Sequence, residues 1–260
     1  MARTEAAWDP GQYLRFAGER LRPALDLLAQ VPLDAPARVV DLGCGAGNVT
    51  AILRQRFPAA DIVGVDGSPA MIDKARASVA DCRFELGDFF HWQPPAPLDL
   101  IFTNAALQWV DRHSELLPRL LALLAPGGVL AIQVPAMHEA PLRRVPVGLA
   151  AQEPWRAHLG GVVSAPDILS PAEYWDLLRP RVAALDIWQT TYMHALSGEN
   201  AVLEWASGSS LRPFLDRIPQ DRLGEFRRAY ADAVRPHYPR RADGTTLLPF
   251  QRLFMVARAA

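Results

Sequence analysis

The chain has 260 residues, a formal net charge of −1 and a half-apolar composition that includes seven Trp. That is enough apolar material for a packed core, which excludes an intrinsically disordered chain. The lack of basic excess argues against a partner with a phosphate backbone. The length fits one elaborated α/β domain carrying an insertion.

The opening MARTEAAWDP has no apolar run of signal-peptide type, and no uncharged stretch approaches the length of a membrane span. The expectation is a cytosolic protein with no membrane and no nucleic acid among its partners. Cys44 and Cys82 are the only cysteines and show no ligand spacing, so a disulfide framework or zinc site has no support. The six His likewise show no metal spacing and read as surface or locally hydrogen-bonded groups. Lys74 is the only lysine among 27 basic residues, so an individual Arg is weak as a functional signal.

The first strand is expected at Arg38 to Leu42, followed by a helix from Asn48 to Phe57. A second strand spans Asp61 to Asp66, and Ser68-Pro69 then supplies an N-cap and a first helical residue. Cys82 to Leu86 and Leu98 to Thr103 are the third and fourth strands. A helix over Ser114 to Leu124 ends at Pro126-Gly127-Gly128, before a fifth strand from Val129 to Val134. Helical segments run on to about Pro180. Arg181 to His194 and Leu247 to Ala257 are the final strands, separated by a helical insertion from Ala195 to Gly244. Strand and helix alternating in this way define a Rossmann-like α/β fold, with a mostly parallel seven-stranded sheet and helices on both faces. The insertions, at about 137–180 and 195–246, are expected to cap the strand ends where such sheets bind ligands.

Between the first strand and its helix the sequence reads VVDLGCGAGNVT. Gly43, Gly45 and Gly47 let the backbone turn sharply and let a ligand approach the main chain. The spacing is not the G-x-G-x-x-G of nicotinamide dehydrogenases. Asp66 ends the second strand, where a carboxylate can accept from both ribose hydroxyls of an adenosine. Asp88 follows the third strand and can take an adenine amino group, with Phe89 packing on the ring. Each aspartate alone is more often a loop cap. In order after successive strands, these motifs converge on one sheet edge and point to an adenosine-containing ligand.

With LDLIFTNAALQWV and LAPGGVLAIQVP, these motifs resemble the class I S-adenosylmethionine-dependent methyltransferases over about the first half of the chain. That resemblance implies S-adenosylmethionine as cofactor, with S-adenosylhomocysteine as product. It places the methionine moiety at Asp41, Gly43 and Gly45, the ribose at Asp66 and the adenine at Asp88 and Phe89. Gly67, Ser68 and Met71, just beyond Asp66, are assigned to the same ligand, and Asn104 is either a cofactor contact or a turn residue. NAAL at Asn104 differs from the [DN]PPY of amino-methylating nucleic-acid enzymes.

WDPGQYLRFAGERLRPALDLLAQVP, LQWVDRHSELLPRL, DIWQTTYMH, GSSLRPFLDRI and LLPFQRLFMVAR extend the resemblance, in order, to the trans-aconitate 2-methyltransferase family. It implies methyl transfer to a carboxylate oxygen of a small tricarboxylic acid. Such an oxygen is ionised at neutral pH, so no acid or base residue is required. The spectator carboxylates call for cations, and Arg suits them through its bidentate fork. The candidates are Tyr13, Arg20 and Arg22 on an opening helix over Gln12 to Gln30, Arg212 in the insertion and Arg252 near the start of the last strand. Trp109 and Tyr192, at strand ends, either wall the pocket or pack in the core. Methylation of another small acid or hydroxyl compound, and a non-catalytic cofactor-binding protein, are the alternatives.

Overall fold

The computed structural model describes residues 21–162, 168–208 and 210–260. The described residues form two compact units, one of residues 21–134, 169–189 and 253–260, the other of residues 135–162, 168, 190–208 and 210–252.

In the first unit, α1 (Arg22–Leu28) precedes β1 (Arg38–Leu42), α2 (Asn48–Arg56), β2 (Asp61–Asp66), α3 (Pro69–Ser78) and β3 (Arg83–Leu86). Then come β4 (Leu98–Asn104), α4 (His113–Ala122) and β5 (Leu124–Pro135). Val39, Val40, Asp41 and Leu42 are all buried, as expected of a central strand covered on both faces. β1 pairs in parallel with β2 and β4, β2 with β3, and β4 with β5.

The sheet is completed by β6 (Ala184–Ser197) and β7 (Thr245–Arg258), in the order β3-β2-β1-β4-β5-β7-β6. Hydrogen bonds from Ala136 to Gln251 and from Ala259 to Gly128 run β7 antiparallel to β5, and that from Ala183 to Arg258 runs it antiparallel to β6. The expected mostly parallel, seven-stranded Rossmann-like sheet is present.

Several boundaries differ from the sequence reading. The opening helix is described only from Arg22, where Pro23 stands in its first turn and lacks the N–H that an interior position would need. α4 ends at Ala122, and Pro126-Gly127-Gly128 lies inside β5 as an irregularity rather than before it. There the pairing slips from Leu98↔Leu124 to Leu100↔Val129. β6 and β7 both extend beyond the expected spans.

The helical region expected up to about residue 180 divides. Its end, α7 (Pro171–Leu178), belongs to the first unit and carries a Ser170/Glu173 capping box. From α7, Tyr174 reaches His113 of α4 at 2.6 Å, while the other His113 ring nitrogen lies 3.0 Å from the Leu107 carbonyl. A carbonyl only accepts, so Nε2 carries a proton directed at Leu107 while Nδ1 meets the Tyr174 hydroxyl, itself able to donate. Burial pushes the Tyr174 pKa up, which keeps that donor in place.

The second unit holds α5 (Pro141–Ala150), α6 (Arg156–Leu159), α8 (Ala201–Ser207), α9 (Arg212–Leu215) and α10 (Leu223–Val234). These helices bury Leu142, Trp155, Leu159, Phe214, Phe226 and Tyr230 in one core. Trp155 and Phe226 meet edge to face at 5.1 Å. Tyr230 keeps its hydroxyl satisfied in that core by donating to the Leu142 carbonyl at 3.0 Å.

Candidate functional site

At the C-terminal ends of β1, β2 and β3 and just beyond β4 lies a cleft of about 240 Å³ within the first unit. Gly43, Asp66, Gly67, Ser68, Phe89 and Trp109 line it together with Leu42, Val65, Gly87 and Ala106. The last four were missed by sequence reasoning, although Leu42, Val65 and Gly87 are each adjacent to an assigned residue and Ala106 lies two residues after Asn104. Gly43 and Gly47 have φ of 81° and 85°, a region that disfavours any side chain. A Cβ on Gly43 would also stand 2.3 Å from the Cβ of Ala106, so glycine is required there twice over.

Asp66 ties the cleft together. Its Oδ2 accepts from the Gly45 amide at 2.9 Å and its Oδ1 from the Ser68 amide at 2.9 Å. An ionised carboxylate has about four lone-pair sites, so acceptor capacity is left for a ligand. Ser68 precedes α3 as expected, with Pro69 in the first turn, but among the described residues its side chain makes no capping bond. Met71, in the first turn of α3, is 37 % exposed.

Asp41 does not line the cleft; it is buried beneath the glycine turn and accepts a 2.6 Å hydrogen bond from the Thr50 hydroxyl. Burial raises its pKa to about 7, against the Thr50 hydrogen bond and with the added repulsion of Asp66. Cys44, in the same turn, is buried and its thiol is pushed up in pKa by desolvation, as for an unreactive structural thiol.

Asp88 lies on an exposed loop and caps that loop, accepting from the Phe90 and His91 amides at 2.8 and 3.0 Å. What burial it has opposes ionisation, but the hydrogen bonds from the His91 side chain and the two amides prevail and hold its pKa below the ordinary value. The same loop is pinned by Arg119 of α4, which donates to the carbonyls of Phe89 and Trp92. Phe89 is thereby held beside Gly43, its ring 3.2 Å from where a Cβ would stand. At the end of β4, Asn104 Oδ1 is a buried acceptor with no hydrogen-bond partner among the described residues.

The proposed acid-binding residues separate sharply. Arg22 is 59 % exposed and 3.9 Å from Asp26, and Arg212 is 68 % exposed and 2.7 Å from Asp216. Both pairs are one helical turn apart, so an Asp four residues after each Arg was the available sequence signal. Arg252 is instead in mid-strand on β7, its guanidinium 4.5 Å from the centre of the Phe250 ring. Desolvation lowers its pKa to about 10, opposed by the Tyr192 hydroxyl. Tyr192 also lies within a strand rather than at its end, because β6 continues to Ser197, and it is buried. His194, which was read as surface or local, is buried against Trp205 and Phe250. Trp109 is 62 % exposed at the edge of the first unit's cleft. Tyr13 and Arg20 lie outside the described residues.

A larger cleft of about 430 Å³ lies between α8 and α10, lined by Glu199, Glu204, Arg227, Arg228, Asp232 and Arg235 among others. It mixes both signs of charge and contains none of the sequence motifs. No group of three or more potential metal ligands occurs among the described residues.

Residues 13–194 match the family described as a methyltransferase domain, which agrees with the strand order and with the glycine turn at the strand ends. The YcgJ protein of Bacillus subtilis shares the fold at a TM-score of 0.60 and 14 % identity, covering 92 % of this chain and 98 % of its own. A phosphoethanolamine N-methyltransferase 2 of Haemonchus contortus, solved with S-adenosylmethionine, does so at 0.55 and 15 %, covering 95 % of this chain and 56 % of its own. The trans-aconitate 2-methyltransferases of Methylobacterium nodulans and Variovorax paradoxus are 49 % and 48 % identical, over 97 % and 96 % of this chain and 98 % of each relative. That of Methylobacterium radiotolerans is 46 % identical over 98 % of this chain and 99 % of its own. The chain belongs to the trans-aconitate 2-methyltransferase family.

Proposed function

We propose that this protein transfers the methyl group of S-adenosylmethionine to a carboxylate oxygen of trans-aconitate, giving the monomethyl ester and S-adenosylhomocysteine. One observation carries the reading: the likeness to trans-aconitate 2-methyltransferases runs nearly end to end, through both the glycine-turn cleft and the helices of the second unit.

The residues present fit the cofactor. Asp66 retains acceptor capacity for ribose hydroxyls, the Gly43 backbone is bare, and Phe89 offers an apolar ring beside it. Asn104 Oδ1 lacks a donor among the described residues, and the buried Asp41 gains from a nearby cation. We assign Gly45, Gly67, Ser68 and Met71 to the same ligand, and Asp88 to its adenine edge. When bound, S-adenosylmethionine supplies an electrophilic methyl group on a sulfonium. The protein's task is then orientation and exclusion of water, because the attacking carboxylate is already ionised.

Within the second unit, we assign Arg252 to a spectator carboxylate. A desolvated guanidinium on an aromatic ring gains strongly from an anion. Tyr192 adds a phenolic donor beside it, and Trp109 an apolar wall at the cofactor cleft. The test is incubation with S-adenosylmethionine and a panel of dicarboxylic and tricarboxylic acids, followed by mass spectrometry. A methyl ester formed first and fastest from trans-aconitate is expected; preference for another acid or a hydroxyl compound, or no ester at all, overturns the reading.

A further inference from the structure

We propose that Gln108 is a positioning residue for the cofactor cleft, latching the turn after β4 so that Ala106 is held against Gly43. The inference rests on the cleft being the S-adenosylmethionine site. Ala105 has φ of 53°, a left-handed conformation that a residue with a Cβ rarely adopts. Two hydrogen bonds hold it there: its amide donates to the Gln133 carbonyl at 2.9 Å, and its carbonyl accepts from Gln108 Nε2 at 2.6 Å. At the bend that results, Ala106 stands against Gly43, where a would-be Cβ has only 2.3 Å of space, and both residues line the cleft. Trp109, next to Gln108 in the same short turn, stands at the edge of that cleft.

The amide orientation follows from chemistry, since a flipped Gln108 would set its oxygen against the Ala105 carbonyl. Its own Oε1 is buried without a hydrogen-bond partner among the described residues, and Gln108 is only 8 % exposed. Stability alone favours an apolar side chain at such a position, because a buried acceptor without a donor is costly. The amide is therefore explained by the conformation it imposes on Ala105. Gln108→Met keeps length and volume but removes the donor, and Ala105→Gly removes the left-handed strain that the donor opposes.

The test measures S-adenosylhomocysteine affinity by calorimetry and unfolding by denaturant. The proteins compared are the wild type, Gln108→Met, Ala105→Gly and the double variant. Gln108→Met should weaken affinity roughly tenfold, the equivalent of one net hydrogen bond, while leaving stability nearly unchanged. In the Ala105→Gly background the same substitution should cost much less, because the turn then holds its conformation unaided. Gln108→Leu, which also lacks a donor and carries no ionisable group, must reproduce the affinity loss if the Met variant folds poorly. Wild-type affinity in both Gln108 variants, or an equal Gln108→Met loss in both backgrounds, overturns the proposal. A wild-type protein that does not bind S-adenosylhomocysteine overturns the reading of the cleft instead, while non-additive unfolding energies for Gln108 and Ala105 would still support the latch.

Discussion

The Thr50 hydroxyl donates to the Asp41 carboxyl at 2.6 Å beneath the glycine turn, and that one bond does not offset the burial of the acid. With its folded pKa raised to about 7 from 3.8, Asp41 holds a proton in the folded state over a range where the unfolded chain has lost it. Stability from this group is therefore fully present below the lower value and declines as pH rises through about 7. Asp41→Asn should raise the unfolding midpoint at pH 8 and change it little at pH 4. A cationic cofactor nearby should release the proton, so wild-type affinity should rise through neutral pH while that of Asp41→Asn is weaker and flat. Calorimetry in buffers of different ionisation enthalpy counts the proton directly.

Asp66 joins Gly45 and Ser68 while facing the cleft, so its loss removes both a ligand acceptor and a structural tie. Asp66→Ala should weaken S-adenosylhomocysteine binding about 10- to 100-fold, the range of one or two charge-assisted bonds. Asp66→Asn should recover part of the loss, because one acceptor remains. Unchanged affinity in the Ala variant would remove Asp66 from the ribose assignment.

Arg252 and Arg212 should diverge as their surroundings do. Arg252→Ala is expected to lower kcat/KM for trans-aconitate by at least about a hundredfold, if a spectator carboxylate is left buried and unpaired, with cofactor affinity little changed. Arg252→Lys should restore only part. Arg212→Ala removes an exposed i,i+4 ion pair and should stay within about 1 kcal/mol of the wild type in stability and turnover. Equal kinetics for both Ala variants would move the acid away from Arg252.

An already ionised nucleophile implies a chemical step without an essential base. Single-turnover rates at saturating cofactor should be nearly flat from about pH 6 to 8, even though Asp41 makes cofactor affinity vary across the same range. A rise in the saturated rate with an apparent pKa near 7 would reveal a general base.

Local physics made much of this protein legible in its residues. Buried runs such as Val39 to Leu42, glycines at positive φ and an acid at the end of β2 are short-range requirements, each satisfied by neighbours in the chain. They located five parallel strands, and the structure brings Gly43, Asp66 and Phe89 into one cleft. Distant partners decided the rest. The placement of β7 between β5 and β6 and the His113–Tyr174 link depend on which segments meet in space. The contrast among the arginines has the same origin. Arg22 and Arg212 each find an Asp one helical turn away, whereas Arg252, over the nearby Phe250 ring, is desolvated in a surrounding that includes the sequence-distant Tyr192. A guanidinium has the same chemistry in all three places, and only the tertiary structure sets how much water it keeps.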